Sequence, residues 1–263
     1  MLQLYQMNAI QALILGVVEG ITEFLPVSST AHLIITGNFL DLTQSEFTSF
    51  FEVFIQSGAI IAVVVLYSRY ILAHKELIKP IIASFIPTAV IGLLLHSTIK
   101  TTFFNSPTLI YSSLIAIGVV FLVLEYFVKN GQLKLSKRLE NISLKDALLF
   151  GFFQACAVVP GVSRAGAVMV GAMMRGYKRE EAALYSFLLA IPTILAAGVL
   201  DFLKTDLTII TQSGHIQALS IGFITSFITA YLVLKWFIGY LQRNTLVIFG
   251  IYRIILGIAL LTS

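Results

Sequence analysis

The chain has 263 residues, of which 58% are hydrophobic and 11% charged, with a formal net charge of +4. An ordinary soluble domain carries about 25% charged residues, so the composition excludes that class and points to an integral membrane protein. The small positive excess builds no soluble basic face for a phosphate backbone, which argues against nucleic acid as a partner.

The first Lys or Arg is Arg69, so the N-terminus lacks the basic start of a secretory signal and is expected to stay in the mature chain. Residues 8–38 are apolar but broken near their middle by "EFLPVSSTAH", and three apolar spans follow at about 49–69, 80–99 and 107–128. Residues 145–175 are broken in the same way by "VVPGVSRAG", and spans follow at about 181–203, 216–236 and 244–262. Each break leaves a distal helix of about a dozen residues, roughly 18 Å long and too short for about 30 Å of hydrocarbon. We therefore read an all-α polytopic membrane protein of six transmembrane helices and two re-entrant helix hairpins. It forms one membrane domain over residues 1–263. The lone cysteine, Cys156, reads as a small packing residue.

Laying residues 12–32 on 147–167 without a gap pairs Ala12 with Ala147, Leu13 with Leu148, Gly16 with Gly151, Val27 with Val162 and Ser28 with Ser163. Glu19 falls on Gln154. A hairpin plus three crossings leaves the second half upside down relative to the first, so an inverted-topology repeat is expected, with halves at about 1–130 and 140–263. The cations agree with that topology. Lys100 and Lys204 fall on the side of the N-terminus, and thirteen Lys and Arg, from Arg69 to Arg243, fall on the other. The positive-inside rule makes the second side cytoplasmic, with both termini outside.

Charge and broken backbone at membrane depth are tolerated only against protein or a watery cavity. Glu19 and Glu23, four residues apart on one helix face, suit a shared proton or a hard divalent cation. Ser28, Ser29 and Thr30 stand where the distal helix begins, and its free N–H groups favour an anion. His32 lies three residues after Ser29 on the same face, within reach of its hydroxyl. The second break supplies Gly161 for close backbone approach, Ser163 as a cap and Arg164, whose planar fork suits phosphate oxygens. Together these residues describe a phosphoryl site near the bilayer middle. Simpler readings compete: the hydroxyls as caps only, His32 as a helix–helix hydrogen-bond residue, and the Glu pair with Arg164 as an ion pair locking the hairpins. Glu52 and Gln56 read as support for the site or interhelical glue, and Arg253 as paired with an acid or a backbone carbonyl. Met169, Met173 and Met174 read as packing or lipid contact.

"EGITEFLPVSSTAHL" together with "PGVSRAG" resembles the undecaprenyl-pyrophosphate phosphatase family of the bacitracin-resistance type, over the whole chain in segment order and spacing. The resemblance places that family's acidic motif on Glu19 and Glu23, its serine and histidine on Ser29 and His32, and its arginine motif on Ser163 and Arg164. It implies hydrolysis of the C55 polyprenyl diphosphate to the monophosphate at the outer face of the bacterial cytoplasmic membrane. It also implies a divalent cation such as Mg or Ca, homodimers, and bacitracin resistance on overproduction. Ala165 and Val168 stand where the family's arginine motif usually has hydroxyls.

On this reading Ser29 attacks the terminal phosphorus, His32 takes its proton, and Arg164 with the helix N-termini holds the developing charge. Glu19 and Glu23 hold the cation, or Glu23 orients the hydrolytic water; attack by water without a covalent intermediate is the other route. Ser28, Thr30, Gly161, Ser163, Arg164 and Gln154 are the expected phosphate-binding residues. The repeat also allows a polyprenyl-phosphate transporter, with or without hydrolysis.

Overall fold

A computed structural model describes residues 7–95, 102–103 and 106–262. The end of the expected second span, 96–99, and Lys100 lie outside the described residues. The helices in chain order are α1 (Ala9–Thr22), α2 (Ser29–Phe39), α3 (Glu46–Ala73), α4 (Ile78–Leu94) and α5 (Pro107–Lys129). The second half gives α6 (Leu144–Ala155), α7 (Arg164–Met174), α8 (Arg179–Lys204), α9 (His215–Leu241) and α10 (Val247–Thr262). Their starts are written in local sequence. Asn8 accepts from the N–H groups of Ile10 and Gln11 while the Gln11 side chain accepts from Asn8 N–H, a capping box that opens α1. Ser45, Ser106 and Ser143 cap α3, α5 and α6 in the simpler way, by accepting from an N–H three residues on.

Among the described residues five segments have the length and apolarity to cross a membrane: Glu46–Ala73, Lys75–Leu94, Pro107–Lys129, Arg179–Lys204 and His215–Leu241. The chain is thus a multi-pass helical membrane protein. The sixth expected crossing is α10, whose 16 residues reach only about 24 Å. The distal helices α2 and α7 have 11 residues each and fold back to pack on α1 and α6.

The larger helix contacts recur when the halves are exchanged. α1 lies on α9 as α6 lies on α4, while α3 meets α8 and α5 meets α10. Glycine explains how close these helices come. A Cβ on Gly16 would sit 2.6 Å from the Gly222 carbonyl oxygen on α9, and one on Gly151 would sit 2.9 Å from Ser84 Cα on α4. The loops after α5 and α7 also meet, with the Ser136 and Lys137 N–H groups donating to the Gly176 carbonyl. This gathers Lys137, Arg138, Arg175 and Arg179 at one end, where they pair with Asp146, Glu181 and Glu125.

The main core lies behind the two breaks, where Phe24, Leu25 and Val27 pack with Phe121, Met169, Met173 and Phe187. Met169 and Met173 are therefore packing residues, whereas Met174 is exposed. Cys156 departs from expectation: it caps the exposed end of α6 instead of filling the core.

Candidate functional site

Both breaks end in the same unusual step. α1 stops at Thr22, residues 23–27 turn, and α2 restarts at Ser29 with Ser28 as its N-cap. α6 stops at Ala155, a 3-10 turn covers Cys156–Val158, and α7 restarts at Arg164 with Ser163 as its N-cap. Ser28 and Ser163 both adopt left-handed backbone, at φ 75° and 73°. For a residue with a Cβ that conformation is strained, and it persists only where the surroundings enforce it. Gly161, at φ 93°, has no such conflict, and a Cβ there would run into the Ile110 carbonyl and Ser113.

The left-handed turns bring two helix N-termini to one cavity of about 200 Å³. Its wall includes Glu23, Ser28, Ser29, Thr30, Gln154, Gly161, Ser163 and Arg164, so eight expected site residues from both breaks converge. At its centre Ser29 Oγ donates to Glu23 Oε2 at 2.6 Å. The other Glu23 oxygen, Oε1, accepts from Arg164 Nη2 at 2.8 Å. Arg164 Nη1 donates to the Ser186 carbonyl at 2.7 Å and to Ser186 Oγ at 3.3 Å. The arginine Nε is buried without a hydrogen-bond partner among the described residues.

Glu19 is fully enclosed behind this wall, and neither of its carboxylate oxygens has a hydrogen-bond partner among the described residues. Two bare carboxylate oxygens beside Glu23 fit a hard cation, because such ions take oxygen ligands. Gln154, which the sequence lays on Glu19, donates to Thr88 Oγ1 at 2.9 Å and Thr193 Oγ1 at 3.1 Å. Gln56 also lines the cavity, and Glu52 is half-buried on the same helix.

His32 is placed otherwise than expected. α2 begins where the sequence indicates, yet His32 does not engage Ser29. Its Nδ1 bonds the Ser28 carbonyl at 2.7 Å, and its Nε2 meets Tyr252 OH at 2.6 Å with the two rings stacked. A carbonyl only accepts, so Nδ1 carries a proton, and in the neutral ring Nε2 accepts from the tyrosine. The imidazole thus fixes the strained Ser28 peptide. It borders a separate apolar groove with Thr22, Thr36, Trp236 and Tyr252, outside the wall of the phosphate-sized cavity.

The partners that sequence alone did not identify are Ser186, Thr88, Thr193 and Tyr252. Each is one hydroxyl in an apolar helix, and only the fold shows what it faces. A serine hydroxyl held by a carboxylate, beside an arginine with an unpaired N–H and two helix N-termini, can deliver an oxygen nucleophile to a bound anion.

Comparison with known proteins places the whole chain in one family. A family model described as "Bacitracin resistance protein BacA" matches residues 12–259. A protein of Aquifex aeolicus named "Undecaprenyl-diphosphatase" is 44% identical over 94% of this chain and 95% of its own length. Proteins of the same name from Wolinella succinogenes and Persephonella marina are 42% and 45% identical, over 97% and 95% of this chain and 98% and 97% of theirs. With near-complete coverage at that identity, this chain belongs to the bacitracin-resistance BacA family.

Proposed function

We propose that the protein hydrolyses undecaprenyl diphosphate to undecaprenyl phosphate and inorganic phosphate, recycling a cell-wall lipid carrier and conferring bacitracin resistance when abundant. The observation that carries this reading is the chain Ser29–Glu23–Arg164, which joins both breaks at one anion-sized cavity. The relatives bear an enzyme's name, which favours hydrolysis over lipid transport.

In the proposed mechanism Ser29 Oγ forms a bond to the terminal phosphorus as the bond to the bridging oxygen breaks, and the lipid monophosphate departs. The Ser29 proton passes to Glu23, which already accepts its hydrogen bond. Arg164 and the N–H groups at the starts of α2 and α7 hold the phosphoryl oxygens. Water then attacks the phosphoserine, Glu23 returns the proton to the departing Oγ, and the protons of water leave with phosphate. His32 positions Ser28 and takes no proton from Ser29; this replaces the role that its spacing invites. Glu19 would hold a divalent cation together with substrate oxygens and, when bound, that ion would offset the diphosphate charge.

The same proposal covers topology. Six crossings, two re-entrant hairpins and an inverted repeat are supported by the exchangeable packing and by the matched left-handed serines. The cation asymmetry supports termini on the outer side, and a cytoplasmic membrane location with the cavity facing outward rests on the family resemblance. A homodimer rests on the family resemblance.

The test is phosphate release by purified protein in detergent, given undecaprenyl diphosphate and a magnesium salt. Ser29→Ala, Glu23→Ala and Arg164→Ala should each lose about 10²–10⁴-fold in kcat. Label from a terminally labelled substrate should be trapped on Ser29 when the reaction is quenched. Wild type that releases no phosphate yet moves labelled lipid phosphate between liposome leaflets would overturn the enzymatic reading.

A further inference from the structure

Arg253 sits in the apolar helix α10 with 0% exposure, the bulkiest fully buried side chain among the described residues. All its hydrogen-bond partners among the described residues are main-chain carbonyls, and none is a carboxylate. Nε donates to Leu114 O at 3.3 Å and Nη1 to Pro26 O at 2.9 Å. Nη2 donates to Gly161 O at 2.5 Å and Val162 O at 3.2 Å. The guanidinium also lies over the Phe121 ring, 5.6 Å from its centroid.

Pro26 belongs to the first break, and Gly161 and Val162 belong to the second. We infer that Arg253 is a positioning residue that ties the two breaks tip to tip and turns their carbonyls away from the anion cavity. The inference rests on the hydrolytic reading of that cavity, but the tie itself is a matter of backbone geometry.

A broken helix at membrane depth exposes carbonyls that must find donors inside the protein. The planar guanidinium, with five N–H groups in a fixed fork, meets three such oxygens at once together with the Leu114 carbonyl of α5, which an ammonium cannot reproduce. The carbonyl and N–H of a trans peptide point in opposite directions. Because Val162 O faces Arg253, the Ser163 N–H faces away from it, and Ser163 lies on the cavity wall. The same side chain thus satisfies the acceptors of both breaks and orients donors toward the anion. Carbonyl oxygens carry only partial charge, so the arginine's positive charge persists just behind the site and adds to the field that favours a diphosphate.

The test joins a kinetic readout to a geometric one. In a Cys156→Ser background, spin labels at Phe39→Cys and Met174→Cys report on the exposed ends of α2 and α7. The distance between them is measured by pulsed electron resonance for wild-type Arg253, Arg253→Met and Arg253→Lys. kcat and KM for undecaprenyl diphosphate are measured on the unlabelled proteins. Arg253→Met should shift or broaden the distance distribution and lower kcat about a hundredfold, the cost of a displacement near 1 Å. Arg253→Lys should recover about tenfold of that loss, because it keeps the charge and part of the donor set. An Arg253→Met protein with unchanged distances and kcat within about threefold of wild type overturns the inference. So does a loss of activity in both variants that follows unfolding temperature alone, with the distances unchanged. If wild type is inactive but Arg253→Met still spreads the labels, the tie stands and the hydrolytic reading fails.

Discussion

Ser28 and Ser163 share one backbone conformation, φ 75° and 73°, at the N-caps of the two short helices, but only one of their hydroxyls caps. Ser163 Oγ accepts from Gly166 N–H at 3.2 Å, while Ser28 makes no side-chain cap bond. Ser163→Ala should therefore cost about 1 kcal/mol of stability. Ser28→Ala should cost almost none, since it loses no cap bond and the left-handed strain is the same for Ala as for Ser. Thermal unfolding in detergent compares the two, and equal losses would refute the asymmetry. Because Ser28 lines the cavity, its replacement should act on KM more than on stability.

His32 and Tyr252 give a second contrast. Tyr252→Phe removes the bond to Nε2 but leaves Nδ1 on the Ser28 carbonyl, so activity should fall by less than about tenfold, the equivalent of one hydrogen bond. His32→Ala removes both bonds and frees the Ser28 peptide, so its loss should be the larger of the two. Neither should match Glu23→Ala, because His32 does not touch the Ser29 hydroxyl. A His32→Ala enzyme as impaired as Glu23→Ala would restore the histidine as proton acceptor.

Much of this arrangement was legible in the sequence because it is local. Pro26 and Pro160 with the flanking glycine and serines mark the breaks, and apolar length marks the spans. The gapless overlay also paired Ser28 with Ser163, which share a backbone state, and Gly16 with Gly151, which share a packing role. Partner choice was not legible. Spacing put His32 near Ser29, but whether that hydroxyl turns toward His32 or back to Glu23 depends on the path of residues 23–28, which propensity does not specify. Arg253 was conspicuous as a charge in an apolar helix, yet its acceptors lie 227, 92, 91 and 139 residues away. Nor does composition distinguish the hydroxyl of Ser186, which receives Arg164, from those that merely cap or face lipid.

The two glycine contacts yield a packing prediction. Gly16→Ala and Gly151→Ala each force a methyl group into the backbone of a neighbouring helix, which cannot yield as a flexible side chain does. Each should cost at least about 1–3 kcal/mol, the usual cost of overpacking. Gly198, within α8, has no described residue within 4 Å of its Cβ position, so Gly198→Ala should instead stabilise the helix by about 0.5–1 kcal/mol. Unfolding temperatures in one detergent would check the opposite signs. Similar effects at all three sites would mean that α1 does not approach α9, nor α6 approach α4, as closely as described.

At the other end of the molecule, Asp146 offers a prediction in pH. Burial pushes its carboxyl up, but the hydrogen bonds from Arg175 and Tyr177 and the charges of Arg175 and Lys137 outweigh burial, so it lies below the usual aspartate value. The bonds are 2.6 Å from Arg175 Nε and 3.0 Å from Tyr177 OH, and they join the start of α6 to the loop that follows α7. A group whose folded value is depressed contributes stability above its unfolded value, about 3.9, and that contribution is lost as pH falls through the folded one. Asp146→Asn should therefore unfold more easily than wild type at neutral pH, by about 1–3 kcal/mol. The gap should narrow as the medium is acidified below about pH 4, where the wild-type carboxylate takes up its proton. A gap that stays constant from neutral pH to about pH 3 would show that α6 and α7 are held together by packing and not by this ion pair.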